Sequence, residues 1–182
     1  MKVAREEIVT AARELFREKG YAGASMQDLA ERVGLKKASL YMRFANKEAL
    51  VPAVMDLLLE DTLAQGRNDT ADWISAYRAL IMSIADSLTD RKRCVALHLA
   101  YGVGDETPLA KQAVRSFFQA LQDEMIAILM RALPREAAAT LATDALTRLE
   151  GATVMIAVFD DPTAMQRAVG DSLESATRAA AA

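Results

Sequence analysis

The chain has 182 residues, of which 52% are hydrophobic and 26% charged, with only 4 Pro and 8 Gly and a net charge of −3. That is enough to bury a core, and plentiful Ala, Leu and Met with few aromatics favours helices over strands. No run reaches the roughly 18 apolar residues of a membrane-spanning helix, no leader-like start is visible, and the single Cys94 excludes an internal disulfide, so a cytoplasmic protein away from membranes is expected.

The charge is unevenly spread. Residues 1–50 carry 10 Lys and Arg against 7 Asp and Glu, whereas residues 51–182 carry 12 against 18. A locally basic end on an acidic body suits docking at one place on a polyanion.

In chain order, Ile8, Ala12, Leu15 and Phe16 follow the helical period and predict a first helix over Arg5–Lys19. Gly20 supplies a left-handed end, after which Tyr21 can pack back on Phe16. Ser25 and Asp28 form a variant capping box for a short second helix with Met26, Leu29, Ala30 and Val33 turned inward. Gly34 ends it, and a third helix runs over Lys37–Phe44. Asn46 is a fitting N-cap for a fourth helix over 47–64, in whose second turn Pro52 predicts a kink or a loosened start. A polar break over Gln65–Thr70 follows, then helices at roughly 71–88, 92–102, 107–133, 135–158 and 162–179.

The second and third helices have the tight turn, small crossing residues (Ala30, Gly34) and polar outer face of a helix-turn-helix. Leu40 and Phe44 face the core. Lys36, Ser39 and Arg43 share another side, and Lys37 stacks one turn below Tyr41. Lys and Arg neutralise phosphates or read guanine edges, while Ser and Tyr hydroxyls bond phosphate oxygens.

Residues 5–50 resemble the DNA-binding domain of TetR-family transcriptional regulators. The resemblance rests on Arg5, Ile8, Ala11, Ala12, Leu15, Phe16, Gly20-Tyr21, Ser25, Leu29-Ala30, Val33-Gly34-Leu35, Ser39-Leu40-Tyr41, Phe44 and Lys47-Glu48-Ala49-Leu50. It implies an all-α fold of about nine helices. A helix-turn-helix domain over 1–46 is followed by a ligand-binding and dimerisation domain over 47–182, with helix 47–64 as connector. It also implies that Tyr41 and Lys47 hold phosphates, that Ser25 and Ser39 add hydroxyl contacts, and that Gln27, Lys36, Lys37, Ala38 and Arg43 lie at or beside the bases. The chain departs from the family in Lys36, Lys37, Ala38 and Ser39 before the Leu–Tyr pair, and in Arg43, where Tyr or His is frequent. These changes add positive charge and bear on the preferred base sequence. Pro52 is also unusual.

Trp73, Tyr77, Cys94, His98, Tyr101, Phe117, Phe118, Met125 and Met155 are candidate effector contacts, since aromatic and polarizable side chains suit an adaptable apolar pocket. Most such residues at helical spacing simply pack a core. Cys94 and His98 stand four apart on one predicted helix, a spacing that also fits a thiol sensor. No catalytic constellation, metal-ligand set or glycine-rich phosphate loop is present, so neither enzyme nor cofactor is expected. Apolar stripes through Leu141, Ala145, Leu149, Ala152 and Ile156, and through Met165, Val169 and Leu173, suit a two-fold helical bundle. Together these readings describe a homodimeric repressor that binds a near-palindromic DNA operator and is released by a small apolar or aromatic effector. The alternatives are a helical partner-binding protein and a Cys94-based sensor.

Overall fold

The structure, a computed structural model, describes residues 3–66, 72–89 and 94–182. Among them are nine helices and no strand: α1 Arg5–Gly23, α2 Met26–Arg32, α3 Lys37–Tyr41, α4 Leu50–Gly66, α5 Trp73–Thr89, α6 Val95–Ala100, α7 Pro108–Leu129, α8 Arg135–Phe159 and α9 Thr163–Ala180. Residues 67–70 of the predicted break, and the first residues of the helices expected from 71 and 92, lie outside the described residues.

Local chemistry sets the early boundaries. α1 is interrupted at Gly20, whose φ of 67° and ψ of −176° differ from the left-handed helical turn expected there. That region of backbone space is open to glycine and costly for other residues. Beyond it Tyr21 turns back and stacks on Phe16, ring centroids 6.1 Å apart. At the start of α2 the Ser25 hydroxyl accepts from the Asp28 N–H at 3.1 Å, and the Asp28 carboxylate accepts from the Ser25 N–H at 3.1 Å. At its end Gly34 takes a φ of 68°. The Leu35 N–H then donates to the Ala30 carbonyl at 2.9 Å and the Gly34 N–H to Glu31 at 3.2 Å, a Schellman closure.

Asn46 caps as expected, accepting from the Ala49 N–H at 2.8 Å. The next bonds, Leu50 to Lys47 and Val51 to Glu48, span three residues, so a tight turn precedes α4 and the regular helix begins at Leu50. Pro52 therefore falls in the first turn, where a missing N–H removes no helical bond. Of the kink or loosened start that the sequence suggests, the structure has the loosened start, with residues 47–49 in a tight turn and the helix beginning three residues later.

Two compact units form. One holds Met1–Leu59 with Val95–Phe118, the other Glu60–Cys94 with Gln119–Ala182. In the first, Ile8, Ala12, Leu15 and Phe16 of α1 are buried with Leu29, Ala30, Leu40, Phe44, Leu50 and Val54. α6 packs along α1. Its His98 ring fills the space beside Gly20, so that a Cβ there would lie 2.9 Å from His98 Nε2. The Glu48 carboxylate accepts from the Leu109 and Ala110 N–H groups at 2.7 and 3.2 Å, satisfying two of the unpaired donors that open α7.

In the second unit α8 packs on α9, and α5 packs on both. The inner stripe of α8 (Ala138, Ala142, Ala145, Leu149, Ala152, Ile156) is buried within the chain, its alanines allowing close helix approach. The stripe read from the sequence as a subunit contact is thus mostly occupied by the chain's own core. Tyr77, Leu80 and Ile81 of α5 and Met125 and Leu129 of α7 complete that core.

The two positive-φ glycines separate two costs. Gly34→Ala meets open space and is expected to lose about 1–2 kcal/mol from backbone strain alone. Gly20→Ala adds the His98 clash and should lose clearly more. In a His98→Ala background the gap between the two glycine substitutions should narrow, as measured by denaturant unfolding, to what the less tolerant backbone of Gly20 alone costs; an undiminished gap would mean that His98 is not what fills the site.

Candidate nucleic-acid interface

Two ion bridges and a capping box fix α2 on α1. The Arg32 guanidinium grips both Glu18 oxygens at 3.1 and 2.5 Å, and Lys19 Nζ lies 3.1 Å from Asp28. The Arg32 contact holds the Glu18 carboxyl below its ordinary pKa. For Asp28 the Ser25 hydroxyl does so first and Lys19 second. The Schellman turn then aims α3. Five residues are too few to hold a helix unaided, so α3 depends on Leu40, fully buried, and on the following turn, in which the Phe44 N–H bonds the Leu40 carbonyl at 3.0 Å.

With Leu40 and Phe44 inward, Lys36, Lys37, Ala38, Tyr41 and Met42 are exposed, while Ser39 and Arg43 are half-buried. Lys37 Nζ stands 5.9 Å from the centre of the Tyr41 ring. The outer surface of α3 thus gathers two ammonium groups, a phenol and a small Ala38. That combination can neutralise phosphates while letting backbone approach base edges.

The other expected contacts are placed differently. The Ser25 hydroxyl donates to Asp28 at 2.7 Å, and the Gln27 amide donates to Glu31 at 2.6 Å, both exposed but engaged within α2. The Arg43 guanidinium donates to the Val3 carbonyl, fastening the segment before α1. Nearby, the Arg5 guanidinium lies 5.0 Å over the Phe44 ring. Lys47 Nζ donates to the Tyr21 and Ala24 carbonyls at 2.5 and 2.9 Å and sits 4.3 Å over the Tyr21 ring. Burial pushes the Lys47 pKa down and the Tyr21 pKa up, the latter helped by the Glu48 and Glu106 carboxylates. An ammonium has three donors, and Lys47 spends two on carbonyls, so one remains for an outside acceptor.

Sequence reasoning passed over Met42, which is 81% exposed beside Tyr41. Its spacing from Ala38 (i, i+4) carries the signal, since both must share the outer face. It also passed over Glu48 as the cap of α7, for which the sequence offers no local signal.

Of the candidate effector contacts, Trp73, Tyr77, Cys94, Met125 and Met155 belong to the second unit and His98, Tyr101, Phe117 and Phe118 to the first. Tyr77 and Met125 are fully buried, whereas Tyr101 is 85% exposed and Met155 also reaches the surface. Phe117 and Phe118 meet edge to face at 5.4 Å. The Cys94 thiol bonds the Glu150 carboxyl, while His98 abuts Gly20.

Residues 8–54 match the family model for bacterial regulatory proteins of the tetR family, and residues 71–170 match that of the LmrA/YxaF-like transcriptional regulator C-terminal domain. The tetracycline repressor protein class C of Escherichia coli is 31% identical over 99 residues, covering 53% of this chain and 45% of its own length. The aligned stretches span between 31% and 45% of the length of the first curated relatives. A TetR transcriptional regulator from Legionella pneumophila shares the fold with a TM-score of 0.83 at 19% identity, covering 96% of this chain and 98% of its own. A TetR variant from Acinetobacter baumannii, crystallised in complex with minocycline, aligns with a TM-score of 0.65 at 20% identity, covering 96% and 94%. With a helix-turn-helix of this geometry and both parts of the chain matched, the protein belongs to the TetR family of bacterial regulators and is a DNA-binding regulator of transcription.

Proposed function

We propose that the protein is a cytoplasmic homodimeric repressor that binds a near-palindromic operator through two copies of α3 and leaves it when a small effector occupies the second unit. The outward surface of α3 carries this reading: Lys36, Lys37, Ala38, Tyr41 and Met42 are exposed together on a helix held from behind by Leu40 and Phe44. Tyr41, Lys47 and Ser39 serve the phosphates. Lys36, Lys37, Ala38 and Arg43 lie at or beside the bases, and Ser25 and Gln27 approach from α2. A helix this short binds weakly alone, so two copies on successive major grooves, roughly 34 Å apart, are required.

The outer stripe of α8 supports pairing. Thr147, Gly151, Val154 and Val158 repeat at helical spacing, Val158 is 64% and neighbouring Phe159 68% exposed, and a Cβ at Gly151 would meet nothing within 4 Å. Gly170 of α9 is equally open. Such a run of exposed apolar side chains with small residues between them suits a second copy packing helix on helix. The relative named as a tetracycline repressor and the minocycline-bound neighbour support a repressor that answers to a small molecule. Effector and DNA then weaken each other's binding by the same factor. No catalytic role is proposed.

Selection of bound sites from random duplex DNA tests the reading directly. A two-fold related pair of half-sites is the expected product, and enrichment of a single unrepeated element would overturn paired docking.

Tyr41 and Lys47 are expected to separate DNA binding from folding. Tyr41→Ala should weaken binding to all sequences, lower the salt slope by roughly 0.9 per contact in each half-site, and leave stability within about 0.5 kcal/mol. Lys47→Ala should do the same to binding and also destabilise by about 1–2 kcal/mol, because two carbonyls lose their donor. Salt-dependent binding and thermal unfolding of both variants measure this; unchanged stability of Lys47→Ala would sink its structural role.

A further inference from the structure

In the second unit, two buried donors from facing helices have no acceptor. The Tyr77 hydroxyl on α5 is fully buried and makes no hydrogen bond. Arg148 on α8, the helix packed against α5, has its Nη1 buried and likewise unpartnered. The Arg148 charge favours ionisation of the Tyr77 phenol, and the two groups do not bond each other. Burial nonetheless pushes that phenol up to about 12, so it stays protonated and remains a donor. Arg148 has only a loose ion pair: Asp144 approaches its Nη2 to 3.9 Å, and the side chain is 35% exposed, its buried end being the one without a partner. Glu150 does not complete the set: its Oε2 is also buried and unpartnered, but two residues along a helix place it about 200° around α8, where the carboxyl meets Cys94. Buried polar atoms without partners are few in native proteins, and each calls for an occupant.

We propose that Tyr77 and Arg148 form the polar anchor of the effector site and accept a carboxylate carried on an aromatic or apolar body. A carboxylate carries an acceptor oxygen for each donor, and its charge adds to the loose pairing that Asp144 gives Arg148. Arginine's planar fork fits a carboxylate better than any neutral oxygen, while Leu80, Ile81 and Met125, all buried in the same unit, suit an apolar body. This inference rests on the effector reading above and sharpens it from an apolar molecule to an aromatic or aliphatic acid.

The test is calorimetric titration of the full chain with 3-phenylpropanoate and naphthalene-2-carboxylate, each against its neutral carboxamide, with operator affinity measured alongside. At least one carboxylate should bind ten times tighter than its amide, and Tyr77→Phe and Arg148→Gln should each reduce that preference at least fivefold. In the free protein Tyr77→Phe should leave Tm unchanged or raise it, since it deletes an unsatisfied hydroxyl. A clear fall in Tm would show that the hydroxyl has a structural partner such as a fixed water, and would overturn the assignment. Equal binding of acid and amide, or no binding of either pair, also overturns it while leaving an effector of other chemistry possible. Tight carboxylate binding without loss of operator affinity would instead keep the anchor and remove the effector role.

Discussion

The reading head depends on one knot: the Lys47 ammonium enclosed by the Tyr21 and Ala24 carbonyls and the Tyr21 ring. It joins the end of α1 to the turn before α4, so the intervening α2 and α3 are closed into a loop with fixed ends. The knot exists only because Gly20 breaks α1 at a backbone conformation that a side chain resists, turning Tyr21 back onto Phe16. His98 occupies the place a side chain at Gly20 would need. Glycine is thus demanded twice at one position, by conformation and by packing.

Electrostatics then makes one side of this unit the positive one. Exposed ion pairs contribute little stability, usually well under 1 kcal/mol, so the Arg32–Glu18 and Lys19–Asp28 bridges matter more for what they cancel. Each offsets a carboxylate with a cation on α1 or α2, so these four charges leave little field of either sign. No carboxylate is paired with Lys36 or Lys37 among the described residues, and their charge stays available on α3. The N-terminal unit can therefore be only mildly basic overall and still present a strongly positive edge. Arg43 keeps its charge there, but one of its donors is taken by the Val3 carbonyl, which holds the guanidinium in place.

Features written within a few residues were legible in the sequence. The Ser25–Asp28 box, the Gly34–Leu35 closure, the Asn46 cap and the nine helices are local rules, and the structure has each of them. What escaped were bonds between distant positions: Glu48 with Leu109, Lys47 with Tyr21, Arg43 with Val3. Polar side chains of this kind give no periodic signal, so composition reads them as solvent-facing or DNA-facing. Pro52 signals the loosened start correctly, and the three-residue turn that follows Asn46 puts the proline in the first helical turn, where it costs no bond. The α8 stripes were ambiguous in another way. An Ala-rich helix offers two apolar faces of similar hydrophobicity, and only packing tells which one the chain itself uses.

That division of α8 bears on how the proposed effector would act. Its inner stripe is buried in the chain's own core, and its outer stripe at Gly151, Val154 and Val158 is open. Arg148 lies between them, with one end buried and its side chain 35% exposed. On the proposed reading, a ligand drawing the guanidinium inward toward Tyr77 would pull on the same helix that carries the surface proposed for a second copy. Close-packed helices with alanine contacts slide or tilt as bodies rather than deform residue by residue. A shift of α8 of even an ångström would change the outer stripe along several turns at once. Coupling between ligand and subunit geometry then needs no chain of intermediaries, only a ligand whose contacts differ between two settings of one helix.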